Sequence, residues 1–259
     1  MRVSNVNIQI AANAEELTWA AAEQFARLAA AAVREKGLFT VALAGGSTPK
    51  NFYALLADSN QPFRARLPWH SIHFFWGDER HVPPDHPDSN YGMAREAMLV
   101  RAPVPLENVH RIKSENADAV KAADEYEQTL REFFKLKQGQ LPRFDLILLG
   151  LGPDGHTASI FPGAKVINEE SRLVVAPWVK KFDSYRISLT PPVLNNSSFL
   201  IFLVSGADKA GALREVLEGE YHPERFPAQL INPPNGKLLW LVDQTAARFL
   251  SETQGKNES

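Results

Sequence analysis

Three short stretches of this chain hold residue types that do chemistry. In Gly150-Leu-Gly-Pro-Asp-Gly-His-Thr-Ala-Ser-Ile-Phe-Pro162, Asp154 and His156 stand two residues apart in a glycine-broken turn. An imidazole exchanges protons near neutral pH, so an acid and a histidine held together are the parts of a proton-transfer site. The competing reading is a turn whose Asp caps a helix and whose His is merely solvated. In Gly45-Gly-Ser-Thr-Pro49 the glycines allow backbone amides to close around an anion, Thr48 is a good N-cap, and Pro49 suits the first helical position. A phosphate site follows from that pattern, although a plain glycine turn with a helix cap would share it. It is neither a nucleotide P-loop, which ends Gly-Lys-Ser/Thr, nor a dinucleotide Gly-x-Gly-x-x-Gly turn. Gly77-Asp-Glu-Arg80 sets Asp78, Glu79 and Arg80 directly after another apolar run. Read alone it is a solvated loop; beside the other two it suggests a shared cleft.

Each of these groups follows an apolar stretch of strand length: residues 38–44, 71–76 and 144–149. Residues 144–149 show no polar face, which suits a strand covered on both sides, and ligands of open α/β sheets sit beyond such carboxyl ends. Residues 198–204 form another such run and meet Ser205-Gly-Ala-Asp-Lys209, which predicts Lys209 near a helix N-terminus. A cation there opposes the helix dipole unless an anion lies close by. Residues 14–36 repeat Leu17, Ala21, Phe25, Leu28 and Ala32 at helical spacing, with Gly37 as the stop and Trp19 and Phe25 as packing residues. Helices are also predicted after Thr48, over 89–99, 117–137 and 243–250, and after Lys209. Further strands are predicted over 3–10, 108–112, 172–179, 184–189 (carrying Arg186) and 237–242. Residues 251–259 form a polar, frayed tail. His81 and His86 read as surface histidines rather than metal ligands. The alternation predicts one domain over residues 1–259, a three-layer α/β/α sandwich around a mostly parallel sheet.

Composition narrows the function classes. The 259 residues are 44% hydrophobic and 22% charged, with a net charge of -2, so nothing attracts nucleic acid or a membrane surface generally. Cysteine is absent, which removes disulfides, thiol nucleophiles and cysteine metal sites. The first residues lack a basic start followed by a long apolar core, and cytoplasm is the default location. No obligate protein partner is evident.

The motifs taken together resemble the 6-phosphogluconolactonase family, within the larger group that includes glucosamine-6-phosphate deaminases. The resemblance rests on Leu43-Ala-Gly-Gly-Ser-Thr-Pro49, Trp76-Gly-Asp-Glu-Arg-His-Val-Pro83, Ser89-Asn-Tyr91, the Gly150 to Pro162 stretch, Arg186-Ile-Ser-Leu-Thr-Pro191 and Ser205-Gly-Ala-Asp-Lys-Ala210, in family order. It implies hydrolysis of 6-phospho-D-glucono-1,5-lactone to 6-phosphogluconate in the oxidative pentose phosphate pathway, without metal or organic cofactor. It implies that Gly45, Gly46, Ser47 and Thr48 receive the substrate phosphate, with Lys209 and either Arg80 or Arg186 supplying positive charge. Asp78 is carried over as a substrate-binding residue. His156 is then the general base, and Asp154 orients the ring or raises its basicity. Arg80 and Arg186 are both candidates to stabilise the tetrahedral oxyanion, and residues 81–89 are the candidate closing loop. No Gly-x-Ser-x-Gly elbow surrounds Ser47, Ser159 or Ser205, which disfavours a serine nucleophile. The deaminase branch shares the glycine turn, the Asp at Asp78 and the Asp-Gly-His, but follows the His with Asn-Glu-Pro. Here Ile160-Phe-Pro162 stands instead, and Phe161 cannot relay a proton. A sugar-phosphate sensor that lost catalysis would be expected to lack His156.

Overall fold

A computed structural model describes residues 7–251. In chain order, β1 (Asn7–Ala11) leads into α1 (Ala14–Lys36), whose N-cap Asn13 accepts from the Glu16 amide at 2.9 Å and whose last turn is closed by Gly37 at φ +82°. β2 (Phe39–Leu43) turns sharply into α2 (Ser47–Ala57), and α3 (Pro62–Arg66) follows. β3 (Ile72–Trp76) passes through Gly77 to β4 (Asp78–Arg80). α4 (Asn90–Ala94) continues as a π-helical turn over Arg95–Leu99, and α5 (Ala119–Phe133) precedes β5 (Leu146–Leu149). Three short strands come next: β6 (Val174–Val175), β7 (Trp178–Val179) and β8 (Ser184–Leu189). The chain closes with α6 (Pro191–Asn195), β9 (Phe199–Val204), α7 (Ala210–Leu217), β10 (Lys237–Asp243) and α8 (Gln244–Ala247).

Six strands form the central sheet in the order β1-β10-β9-β5-β2-β3, and every neighbouring pair is parallel. Every residue of β2, β5 and β9 is buried, as their unbroken apolar runs require of strands covered on both faces. Phe25 of α1 meets Phe39 of β2 edge-on at 5.4 Å and Phe52 of α2 at 5.7 Å, so these helices and the sheet share one aromatic seam. Two buried tyrosines finish the strand tips where the ladder runs out. The Tyr53 hydroxyl accepts from the Ala44 amide at 2.9 Å and donates to the Ala44 carbonyl at 2.8 Å. Tyr126 does the same for Trp76, at 2.9 and 3.0 Å. Burial pushes both phenols far above the ordinary tyrosine value, so each remains a neutral donor and acceptor.

The α/β/α sandwich around a parallel sheet is therefore present, and beside it lies a small antiparallel sheet, β4-β8-β6, with β7 paired to β8. Asp78, Glu79 and Arg80, expected as a turn, are its first strand; three polar residues carry no apolar run to betray them. In place of the strand expected over 108–112, a 3-10 turn over Leu106–Asn108 is followed by a single bridge from Val109 to Phe74, and the His110 ring stacks on Phe75 at 4.4 Å. The 172–179 strand divides into β6 and β7 around Pro177, which has no N–H to offer a ladder. The helix expected over 243–250 is short, since Asp243 ends β10 and caps α8 by accepting from Ala246 N at 2.7 Å. Gly46, at φ +106°, takes the cap position of α2, so Thr48 lies inside the first turn. Trp19 is a surface packing residue, 41% exposed and edge-on to Phe63. Residues 3–6 of the first predicted strand and 252–259 of the tail lie outside the described residues. Among the described residues no helix is long and apolar enough to cross a membrane.

Candidate active site

From β2 the chain steps outward to β3, whereas β5, β9 and β10 are laid down on the other side of β2. This reversal leaves a crevice at the carboxyl ends of β2 and β5, where neighbouring loops diverge. A cleft of about 280 Å³ opens there, and Gly45, Gly46, Ser47, Thr48, Asp78, Arg80, His156 and Lys209 all line it. Asp154 sits behind His156. Arg186 is not a lining residue.

At one end of the cleft, β2 gives way to Gly45 and Gly46 and then to the first turn of α2. No side chain caps that turn, so its leading amides are available to an anion. A Cβ on Gly45 would overlap the Asn90 side-chain amide, so only glycine lets the two segments approach this closely. On the opposite lip β9 leads through Ser205 and Gly206 to Lys209, which pairs with Asp208 at 2.9 Å. Asp243 ties this lip down: it accepts from Ser205 Oγ at 2.5 Å and from Gly206 N at 3.2 Å. Lys209 thus stands at the N-terminus of α7, as its sequence position implied, across from the amides of α2.

The other end belongs to the loop after β5. Gly152 N donates to the His156 carbonyl at 2.8 Å and Gly155 N to the Gly152 carbonyl at 3.0 Å, folding the loop tightly. Within it His156 Nδ1 and Asp154 Oδ1 form a short hydrogen bond, and Oδ1 also accepts from the His156 amide at 3.3 Å. The bond to His156 holds the Asp154 carboxyl well below the usual range, against the opposing effect of burial. A carboxylate there assigns the imidazole proton to Nδ1, which leaves Nε2 as a proton acceptor with no partner among the described residues. Phe161 stacks on the imidazole at 4.2 Å and 25°, and the His156 side chain keeps 23% of its surface open. The ring is therefore held in place while water still reaches it.

Between the two ends lie Asp78 and Arg80. Asp78 Oδ2 accepts from Ser159 Oγ at 2.7 Å, and Arg80 Nη1 donates to the Asp88 carbonyl at 2.7 Å. Arg186 is opposite Arg80 across the β4–β8 ladder, with its guanidinium over the Phe182 ring at 5.0 Å. Burial and the charge of Arg80 both disfavour its cationic form. Of the two cations considered for the oxyanion, Arg80 is the one in the cleft. Glu79, to which the sequence assigns no role beyond this loop, is almost fully buried and accepts from the amides of Arg80, Asn90 and Tyr91 at 2.7–2.8 Å and from Ser89 Oγ at 3.2 Å. It fixes Arg80 and Asn90 together at the cleft wall. Asn90, another lining residue, escaped assignment although Ser89-Asn-Tyr91 was a motif; its signal was Ser89, the N-cap of α4. Lys181 reaches Asp154 Oδ2 at 3.2 Å from a turn 27 residues away, and no local pattern announces it. His81 bonds the Asn116 carbonyl at 2.6 Å and His86 is exposed. Among the described residues no three metal-binding side chains come together.

Comparison with known proteins gives concordant matches. The family described as glucosamine-6-phosphate isomerases/6-phosphogluconolactonase matches residues 12–240. A 6-phosphogluconolactonase from Synechocystis sp. is 45% identical over 219 residues, 85% of this chain and 88% of that protein. One from Haemophilus influenzae is 36% identical over 212 residues, covering 81% and 87%. The solved structure of 6-phosphogluconolactonase from Trypanosoma brucei superposes with a TM-score of 0.84 at 32% identity, covering 95% of this chain and 99% of that one.

Proposed function

The chain belongs to the glucosamine-6-phosphate isomerase/6-phosphogluconolactonase family, and from that membership we propose that it hydrolyses 6-phospho-D-glucono-1,5-lactone to 6-phospho-D-gluconate, acting as one catalytic domain. The observation that carries the mechanism is a single cleft holding an anion cradle at one end and the Asp154–His156 couple at the other. The substrate phosphate lies against the amides of Gly46, Ser47 and Thr48 with Lys209 opposite, a charge-assisted anchor that fixes the sugar along the cleft. Anchoring makes the next step effectively unimolecular. His156 Nε2 takes a proton from water as its oxygen adds to the lactone carbonyl carbon. Asp154 stabilises the imidazolium and keeps Nδ1 protonated. Arg80 faces the negative charge that develops on the carbonyl oxygen. The tetrahedral adduct then collapses: the bond from the carbonyl carbon to the ring oxygen breaks, and His156 returns its proton to that oxygen, which leaves as a hydroxyl. A lactone is an activated ester, so one base and good positioning suffice, and no covalent nucleophile is required.

The test is hydrolysis of freshly prepared lactone, corrected for the uncatalysed reaction, for wild type and His156→Ala, with glucosamine 6-phosphate as a control. His156→Ala is expected to lose on the order of 10²–10⁴ in kcat while still binding the phosphosugar. Ammonia release from the amino sugar would move the chain to the deaminase branch. Binding without turnover in the wild type would point to a sensor.

A further inference from the structure

We propose that Lys181, in the turn between β7 and β8, is a positioning residue that acts on His156 through Asp154, steadying the carboxylate and limiting how strongly it holds the imidazolium. This role presupposes His156 as the general base of the lactonase reaction. Asp154 is shared between two partners: Oδ1 meets His156 Nδ1, and Oδ2 meets Lys181 Nζ at 3.2 Å. The same turn reaches the imidazole by a second route. Phe182 meets Phe161 edge-on at 5.8 Å, and Phe161 is the ring stacked on His156. One turn therefore touches the catalytic couple through an ionic contact on the carboxylate side and an aromatic contact on the ring face.

The turn is built to keep that position. Val179 pairs with Ser184 and Trp178 with Tyr185, whose rings meet at 4.8 Å. Asp183 closes the reversal in the left-handed region at φ +47°. On the far side Arg186 lies over Phe182, so the aromatic ring is braced from β8 as well. The Lys181 side chain is 56% exposed, and an ion pair so open to water adds little to stability. Its consequence lies in the field at Asp154. The charged groups around His156 are Asp154 on its own loop, Lys181 on this turn, Asp78 and Arg80 on β4, and Lys209 on the opposite lip, with Arg186 behind Phe182. Lys181 is the cation that bonds the carboxylate directly. Part of the Asp154 charge is thereby answered by Lys181 rather than by the imidazolium. His156 then gives up the proton it has taken more readily, as the second half of the reaction requires.

Removing the cation should let Asp154 hold the imidazolium more tightly. In Lys181→Met the acid limb of the pH–rate profile is expected to move up by roughly half a unit, about a threefold loss of neutral base at any pH on the limb. KM should stay near wild type, because Lys181 is not a residue of the phosphate end. Lys181→Arg should restore the limb. The titration of the His156 Cε1–H resonance, assigned by its disappearance in His156→Ala, should shift the same way without any substrate present. A Lys181→Met profile and resonance that superimpose on wild type would overturn the proposal, as would a change confined to KM, which would make Lys181 a binding residue instead. Wild type whose turnover survives His156→Ala would overturn the reading of the base itself, and this role of Lys181 with it.

Discussion

Gly152 shows how little room the catalytic couple leaves. A Cβ at this position would overlap the His156 ring and crowd the Asp154 carboxylate. The expected consequence of Gly152→Ala is a displaced imidazole in an otherwise folded protein: kcat for lactone opening falls on the order of a hundredfold, with KM and the unfolding midpoint little changed. Stopped assays with background subtraction and a urea titration would check both halves, and unaltered kcat would show that the loop yields instead. At this scale the sequence was most informative where chemistry depends on neighbours. Asp154 and His156 were legible because their bond is local, as were Gly45 to Thr48, which one turn brings together. Arg186 was named for its residue type, whereas its place opposite Arg80 and over Phe182 depends on a strand pairing that no short motif encodes.

The elements that carry these residues end in a particular way. β2 and β3 stop at Leu43 and Trp76, and the backbone groups of Ala44 and Trp76 are each taken over by one buried phenol instead of another strand. Tyr53→Phe would strand an amide and a carbonyl of Ala44 away from water. An unsatisfied buried group costs about 1–3 kcal/mol, so a loss of about 2 kcal/mol in urea unfolding is expected at an unchanged m-value. KM should rise too, because Ala44 leads straight into the phosphate turn. Wild-type stability in Tyr53→Phe would mean that the tip is held by other contacts. The parallel strands were readable from their unbroken apolar runs, which no other element of that length shows so clearly. The small antiparallel sheet was not, for the opposite reason: β4 is polar and three residues long, β6 and β7 are two each, and only pairing with β8 makes strands of them.

For the molecule as a whole, the buried Glu79 couples the integrity of the cleft wall to pH. Burial raises it from 4.5 to about 7, against the pull of the three amides that bond it. Between these values the native state holds a proton that the unfolded chain has released, so stability must fall as pH rises through that window and level off above it. The loss across the window is on the order of 3 kcal/mol. Glu79→Gln should flatten it, visible as converging urea midpoints toward pH 4.5 and diverging ones toward pH 7.5. Parallel curves for the two proteins would assign the pH dependence elsewhere. Among the described strands, β1 at the sheet edge pairs with β10. On the ribosome, then, β1 must wait for this sheet neighbour through the synthesis of the two hundred or so residues between them. The phosphate turn emerges early, while the Lys209 lip and the Asp243 that ties it arrive near the end. A nascent chain can assemble half a cleft, but the other half waits for β10 to settle between β9 and β1.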